Sequence, residues 1–355
     1  MKAIPSVNNT VYFVEEAYEK LNDCLATNSF SKVFILVDTQ TQINCLPKFL
    51  PLLQTNITIE VIEIDSGEQN KTLQTCKGVW EALADLGADR KSILINLGGG
   101  VVTDLGGFVA STYQRGIAYI NIPTSLLAMV DASIGGKTGI DLGNLKNQIG
   151  LINDAKMVLI DPEFLATLPA NQMRSGLAEM LKHGLIADKD YWKKMTDLSQ
   201  LNLTHLNELI YRSIEIKNKI ISEDLFEDGI RKTLNFGHTL GHAIEAFYLK
   251  RPNVNLLHGE AVAAGMIMAA FLSFKLTQFP KYELEELSKV IKKYYGILDI
   301  KEEDVPEILD LLKHDKKNSH GKVLFVLLNN IAQPQIDCEI PENLLKEVFA
   351  YYQQV

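Results

Sequence analysis

The chain has 355 residues, 46% hydrophobic and 22% charged, which is enough to bury two apolar cores. Its formal net charge of −9 calls for no broad basic surface, so nucleic acid is not an expected partner, and a phosphate ester would need a local Lys/Arg cluster. The N-terminal segment lacks the apolar run of a signal peptide, and the stretch 261–274 is too short and too Gly/Ala-rich for a membrane span, so a buried helix and no membrane contact are expected.

In chain order, β-branched runs occur at KVFILVD (32–38), ITIEVIEID (57–65), SILINLGGG (92–100), YINIPT (119–124) and KMVLID (156–161). Several are apolar on consecutive positions, as strands covered on both faces are. Helix-like segments such as TLQTCKGVWEALADLG (72–87) lie between them. This rhythm predicts an α/β nucleotide-binding domain with a mostly parallel sheet over 1–165. From about 163 to 295 the pattern is mainly helical, and VLFVLLNN (323–330) with IDCEI (336–340) suggests a small hairpin. A mainly α-helical domain is therefore expected over 166–355, with the site in a cleft between the two. Cys24, Cys45, Cys76 and Cys338 show no CxxC spacing and read as reduced thiols of a cytoplasmic protein.

Five motifs carry chemistry. GGGVVTDLGG (98–107) directly follows a strand and would start a helix whose free N–H groups favour phosphate. It is not a GxGxxG fingerprint, and a plain strand-to-helix turn fits equally well. DSGEQNKT (65–72) ends another strand; Asp65 there could accept ribose hydroxyls, though alone the stretch reads better as a polar surface loop, and Asp38 could do the same or be an ordinary strand-end turn residue. In MVDASIGGKTGIDLGNLKNQIG (129–150), Asp131, Lys137, Lys146 and Asn147 flank a Gly-Gly turn suited to oxyanions. A solvated loop would explain Lys146 equally well.

SGLAEMLKHG (175–184) puts Glu179 and Lys182 on one helix face amid apolar neighbours, where an unpartnered carboxylate would be costly. His183 points off that face and reads as structural. The strongest block is LNFGHTLGHAIEA (234–246) followed by LLHGEAVAAGM (256–266). His238 and His242 are four apart, and His258 opens a second apolar helix. Two of these His plus a carboxylate would make a three-ligand metal site with an open position. A lone His on an apolar helix is more often a core residue, but three of the chain's seven His fall within 238–258. If 231–238 is one helix, Arg231, Asn235 and His238 project to one side and suit a phosphate or carboxylate. Lys217 alone is read as part of a mixed polar face.

Together these blocks resemble 3-dehydroquinate synthase, a family of the sugar-phosphate cyclase superfamily. The carriers are TYQRG (112–116), SIGGKTG (133–139), GLAEMLKHG (176–184), LNFGHTLGHAIEA and LHGEAVAAGM, in order over most of the chain. The resemblance implies a cytoplasmic homodimer that binds NAD and a Zn2+ or Co2+ ion. It implies metal ligation by Glu179, His238 and His258, with His242 as a polar or acid–base partner. Substrate phosphate and carboxylate contacts fall on Lys137, Lys182, Lys217, Arg231 and Asn235, with Asn147 in the same pocket. Arg115 would reach the neighbouring subunit's substrate, and Lys316 or Lys317 would join the cluster. NAD contacts fall on Asp38, Asp65, Glu68, Lys71, Gly99, Gly100, Val101, Asp104, Thr124, Ser125, Asp131, Lys137, Lys146 and Thr167.

The implied reaction turns 3-deoxy-D-arabino-heptulosonate 7-phosphate into 3-dehydroquinate and phosphate, in the shikimate pathway of aromatic amino acid biosynthesis. It runs through transient oxidation, phosphate elimination, reduction, ring opening and aldol closure. The chain departs from the family at Thr103, usually Gly; at Gln40, often Asn; in DLGNLKN (141–147); and in INDA (152–155). Another cyclase on the same scaffold, a metal-dependent polyol dehydrogenase and a non-catalytic nucleotide-binding regulator are the competing readings.

Overall fold

The structure is a computed structural model and describes residues 1–143, 145–198, 202–251, 256–312 and 323–355. The chain divides into two compact units, Met1–Pro169 and Ala170–Val355, so the division lies four residues beyond the expected position 165.

The first unit is built on a seven-stranded sheet. Its strands are β1 (Ile4–Pro5), β2 (Thr10–Phe13), β3 (Val33–Asp38), β4 (Ile59–Ile64), β5 (Ile93–Gly98), β6 (Ala118–Pro123) and β9 (Val158–Ile160), in the order β1-β2-β9-β6-β5-β3-β4. All pairings are parallel except β1 with β2. Val33 to Val37 are completely buried, as are Ile93, Leu94, Ile95 and Leu97. Burial on both faces is why these strands read as unbroken apolar runs, and each such side chain contributes roughly 1.5–3 kcal/mol. Helices α1 (Val14–Thr27), α2 (Thr39–Asn44), α3 (Leu46–Phe49), α4 (Leu73–Asp85) and α5 (Gly100–Thr112) connect them. The chain steps from β3 outward to β4, then back across β3 to β5. The switch point of the sheet therefore lies between β3 and β5, where open α/β sheets bind ligands.

A second feature of this unit departs from expectation. The segment read as a Gly-rich loop is a hairpin of β7 (Lys137–Leu142) and β8 (Leu145–Ile152), preceded by a π-helical turn over Ala128–Ala132. Gly139 and Gly150 face each other so closely that a Cβ on Gly150 would lie 2.2 Å from the Thr138 carbonyl oxygen. Glycine there permits strand pairing rather than a loop.

The second unit is mainly helical: α6 (Ala170–Ala187), α7 (Lys189–Thr196), α8 (Leu203–Glu223), α9 (His238–Leu249), α10 (His258–Leu276), α11 (Lys281–Tyr295), α12 (Val305–Leu312) and α13 (Glu342–Gln354). The antiparallel pair β10 (Leu324–Asn330) and β11 (Gln333–Glu339) forms the expected hairpin. α10 is the axis of this unit and packs against α6, α9, α11 and α13. It runs beyond the apolar stretch that defines it, so by length and composition it could cross a membrane, contrary to the expectation from 261–274 alone; 78% of its apolar window is buried within the protein. The four cysteines are free and buried.

Candidate active site

In the first unit, the parallel strands end at one edge. Asp38, Ile64, Gly98 and Pro123 are the last residues of β3 to β6, and the register aligns Asp38 with Ile64 and Gly98 with Pro123. Gly99 is the N-cap of α5 and offers no side-chain cap, leaving the first-turn N–H groups for a ligand. A Cβ on Gly106 would lie 2.0 Å from Asn96 Oδ1, so that glycine seats α5 directly on β5. Thr103, the departure from the family's glycine, is buried and bonds its hydroxyl to the Gly100 carbonyl at 3.2 Å.

Around this edge the hairpin and the β4–α4 loop assemble a charged network. Lys71, buried, pairs with Asp104 at 2.6 Å and donates to Asn147 Oδ1 at 2.5 Å. Burial opposes the Lys71 charge, but Asp104 and Glu68 outweigh it and hold the ammonium above its usual range. Lys146 pairs with Glu68 at 3.1 Å, so it is not merely solvated. Asn147, expected in the substrate pocket, stands at φ 51° and accepts from Lys71 through its side-chain oxygen. Its backbone N–H donates to Asp141 at 2.6 Å. Thr124 is buried with its N–H on the Gly98 carbonyl, and the Ser125 hydroxyl caps Ala128 N.

Two NAD-side candidates have local jobs. Asp38 Oδ1 accepts from Gln40 N and Thr41 N at 2.9 and 2.8 Å in a capping box, the ordinary strand-end role. Thr167 bonds the Phe164 carbonyl at 3.3 Å in a short 3-10 turn. Asp65 lies exposed just past β4 and Val101 lies in the first turn of α5. Lys137, at the start of β7, is exposed, and Asp131 sits in the π-helical turn. π turns of this kind are frequent at functional sites.

In the second unit, α6, α9 and α10 converge on one carboxylate. Glu179 is fully buried on α6 and ion-pairs with Lys182 through Oε2. Its Oε1 lies 3.3 Å from His238 Nε2 and 3.5 Å from His258 Nε2. Each imidazole is oriented from behind: His238 Nδ1 lies 3.2 Å from the Phe236 carbonyl, and His258 Nδ1 lies 3.1 Å from Glu245 Oε2. With Oε2 taken by Lys182, buried Oε1 is the oxygen that faces both imidazoles, and it receives no well-formed hydrogen bond. One carboxylate and two imidazoles pointing Nε2 inward are a fitting donor set for a divalent cation. His242 completes the group, since ring nitrogens of His238, His242 and His258 lie within 4.8 Å of one another. Distances alone make it eligible as a ligand too.

Burial opposes ionisation of Glu179, but Lys182 and His238 outweigh it and hold the carboxyl well below the usual range. Burial likewise opposes a charge on His258, yet Glu245 and Glu179 push its pKa up to about 10. His183 is buried with Nδ1 2.7 Å from the Ser213 hydroxyl, a structural arrangement.

Arg231, Asn235 and His238 do not share one helix, contrary to the spacing argument. Residues Ile230–Asn235 form a 3-10 turn, and Gly237 at φ 78° breaks the chain before α9 begins at His238. Arg231 is 2% exposed and anchored by Nη1 on the Leu225 carbonyl at 2.6 Å. Asn235 donates to Glu227 at 2.7 Å. With Lys182 at 1% and Lys217 at 6%, three site-candidate cations are buried among the described residues of this unit. Lys316 and Lys317 lie outside the described residues. Glu227 and Glu245 were not singled out from sequence; Glu245 was findable, because it stands seven after His238 and three after His242 on α9.

The chain shares its fold with solved enzymes, two sugar-phosphate cyclases among them. A solved 2-deoxy-scyllo-inosose synthase, complexed with carbaglucose-6-phosphate, NAD+ and Co2+, matches with a TM-score of 0.85 at 25% identity, covering 99% of each chain. The 2-epi-5-epi-valiolone synthase of Streptomyces hygroscopicus, solved with NAD+ and Zn2+ bound, matches at 0.86 and 24% identity over 100% of this chain and 99% of that one, a likeness of fold. The family is narrower than the class. Residues 61–175 match the sequence family 3-dehydroquinate synthase N-terminal, and 176–318 match its C-terminal counterpart. A 3-dehydroquinate synthase of Parabacteroides distasonis is 40% identical over 350 residues, 97% of this chain and 98% of that one. The chain belongs to the 3-dehydroquinate synthase family.

Proposed function

We propose that this protein is an NAD- and metal-dependent 3-dehydroquinate synthase, a phosphate-eliminating carbon–oxygen lyase of aromatic amino acid biosynthesis. The observation that carries the reading is a helical unit that buries Lys182, Lys217 and Arg231 alongside the Glu179–His238–His258 cluster, in a chain of this family. A divalent cation on that cluster would supply Lewis acidity at a substrate oxygen, and NAD would supply the hydride chemistry.

The chain's own residues do the rest. Lys182, Lys217 and Arg231 bind and orient oxyanions, and their burial makes each contact stronger than it would be in water. Asn235, held by Glu227, adds a directional amide. His242, beside the two ligating imidazoles, carries a proton to or from the substrate. In the first unit, Lys137 and Asp131 join Glu68, Lys71, Asp104 and Lys146 around the nucleotide. Asn147 serves through Lys71.

The protein is read as a cytoplasmic homodimer. Its four buried free thiols suit a reducing compartment. Gln114 and Arg115 both stand at positive φ, 48° and 69°, a conformation that costs roughly 1–2 kcal/mol per residue, and Arg115 is exposed, which supports a role for it at a partner's substrate. The substrate assignment is tested with a panel of sugar phosphates, NAD and zinc. Phosphate release from the heptulosonate phosphate alone is expected; equal release from a sugar phosphate without a carboxylate would assign another cyclase.

A further inference from the structure

Glu245 is a buried carboxylate behind the His258 imidazole. It is 3% exposed on α9, and its Oε2 lies 3.1 Å from His258 Nδ1. His238, His242 and Glu245 stand at i, i+4 and i+7, so one face of α9 directs all three toward the start of α10. The two helices meet without side chains between them. A Cβ on Gly265 would lie 1.9 Å from the Gly237 carbonyl oxygen, and one on Gly241 would lie 3.0 Å from the Ala261 carbonyl oxygen. That close crossing fixes the reach from Glu245 to His258. The carboxylate can only accept, so the Nδ1 atom facing it carries the proton. Nε2, which faces Glu179 Oε1 at 3.5 Å, is then the nitrogen that gives up its proton to take a cation. His238 is oriented by a neutral backbone carbonyl instead.

We infer that Glu245 is a positioning residue: it locks His258 in the Nδ1–H tautomer and, through its charge, makes that imidazole the stronger of the two donors to a divalent cation. This rests on the metal reading of Glu179, His238 and His258. Outer partners of ligating histidines typically matter ten- to a hundredfold in metal affinity.

The test uses the full chain stripped of metal, with zinc ion alone as the probe. Zinc affinity is measured by chelator competition for wild type, Glu245→Gln, Glu245→Ala and His258→Ala. Glu245→Gln keeps an acceptor but loses the charge, and should weaken zinc roughly tenfold; Glu245→Ala should weaken it toward a hundredfold. Long-range 15N–1H spectra should show His258 in the Nδ1–H form in zinc-loaded wild type and Glu245→Gln, and a mixed or reversed tautomer in Glu245→Ala. Should Glu245→Ala fail to fold, Glu245→Gln and the wild-type tautomer decide. Glu245 variants that bind zinc like wild type, while His258→Ala does not, would overturn the inference and leave the metal reading standing. Zinc uptake equal in wild type and His258→Ala would overturn both.

Discussion

At the scale of single residues, His258 joins the electrostatics to the chemistry. Its folded pKa, raised to about 10, lies above its unfolded value, so the charged form stabilises the metal-free fold. That contribution is complete below about pH 6.5 and is lost as pH rises toward 10. Metal-free wild type should therefore lose more stability between those limits than His258→Gln, as read by urea denaturation at stepped pH. A cation must displace the same proton, so zinc affinity should climb with pH by up to about tenfold per unit over this range. A flat pH profile in chelator competition would contradict the assignment of His258 as a ligand. The spacing of Glu179 and Lys182, and the His-rich block, were legible because chemistry-bearing residues stand out in apolar segments. The partners behind them were not: Glu227 and the Phe236 carbonyl reach the site through turns that no periodicity encodes.

At the scale of elements, the parallel strands were readable and the β7–β8 hairpin was not. β8 alternates between exposed and half-buried positions and offers no apolar signal. The break at Gly237 was also hidden, because a left-handed residue at a helix start is a tertiary demand: a Cβ there would lie 2.9 Å from Met266 N. Gly265→Ala should destabilise the protein by about 3 kcal/mol or more, since backbone rather than a movable side chain blocks the new methyl. Chemical denaturation measures this, and a change under a few tenths of that size would mean the helices can part freely. Asp38→Ala separates its two readings. Losing the cap should cost about 1 kcal/mol of stability while NAD affinity stays nearly constant. A tenfold weaker NAD affinity at unchanged stability would make Asp38 a ribose contact instead.

At the scale of the whole molecule, the family match spans both units, and the dimer proposal has its own test. Arg115→Ala and His258→Ala should each be inactive. If Arg115 acts across subunits, equal mixing and reassociation should restore about a quarter of wild-type activity, because half the dimers are mixed and each holds one intact site. No restoration, with exchange verified by mass, would place Arg115 in its own subunit's chemistry. The two-unit division was legible from the change in periodicity near 165; the pairing of copies leaves no such mark.

The central claim is a reaction that borrows a hydride and returns it. The full chain, loaded with zinc and NAD, is given 3-deoxy-D-arabino-heptulosonate 7-phosphate while phosphate, dehydroquinate and NADH are followed together. One phosphate and one dehydroquinate per substrate consumed, with no accumulation of NADH, is the expected result. Steady NADH production without phosphate release would instead make the protein a dehydrogenase.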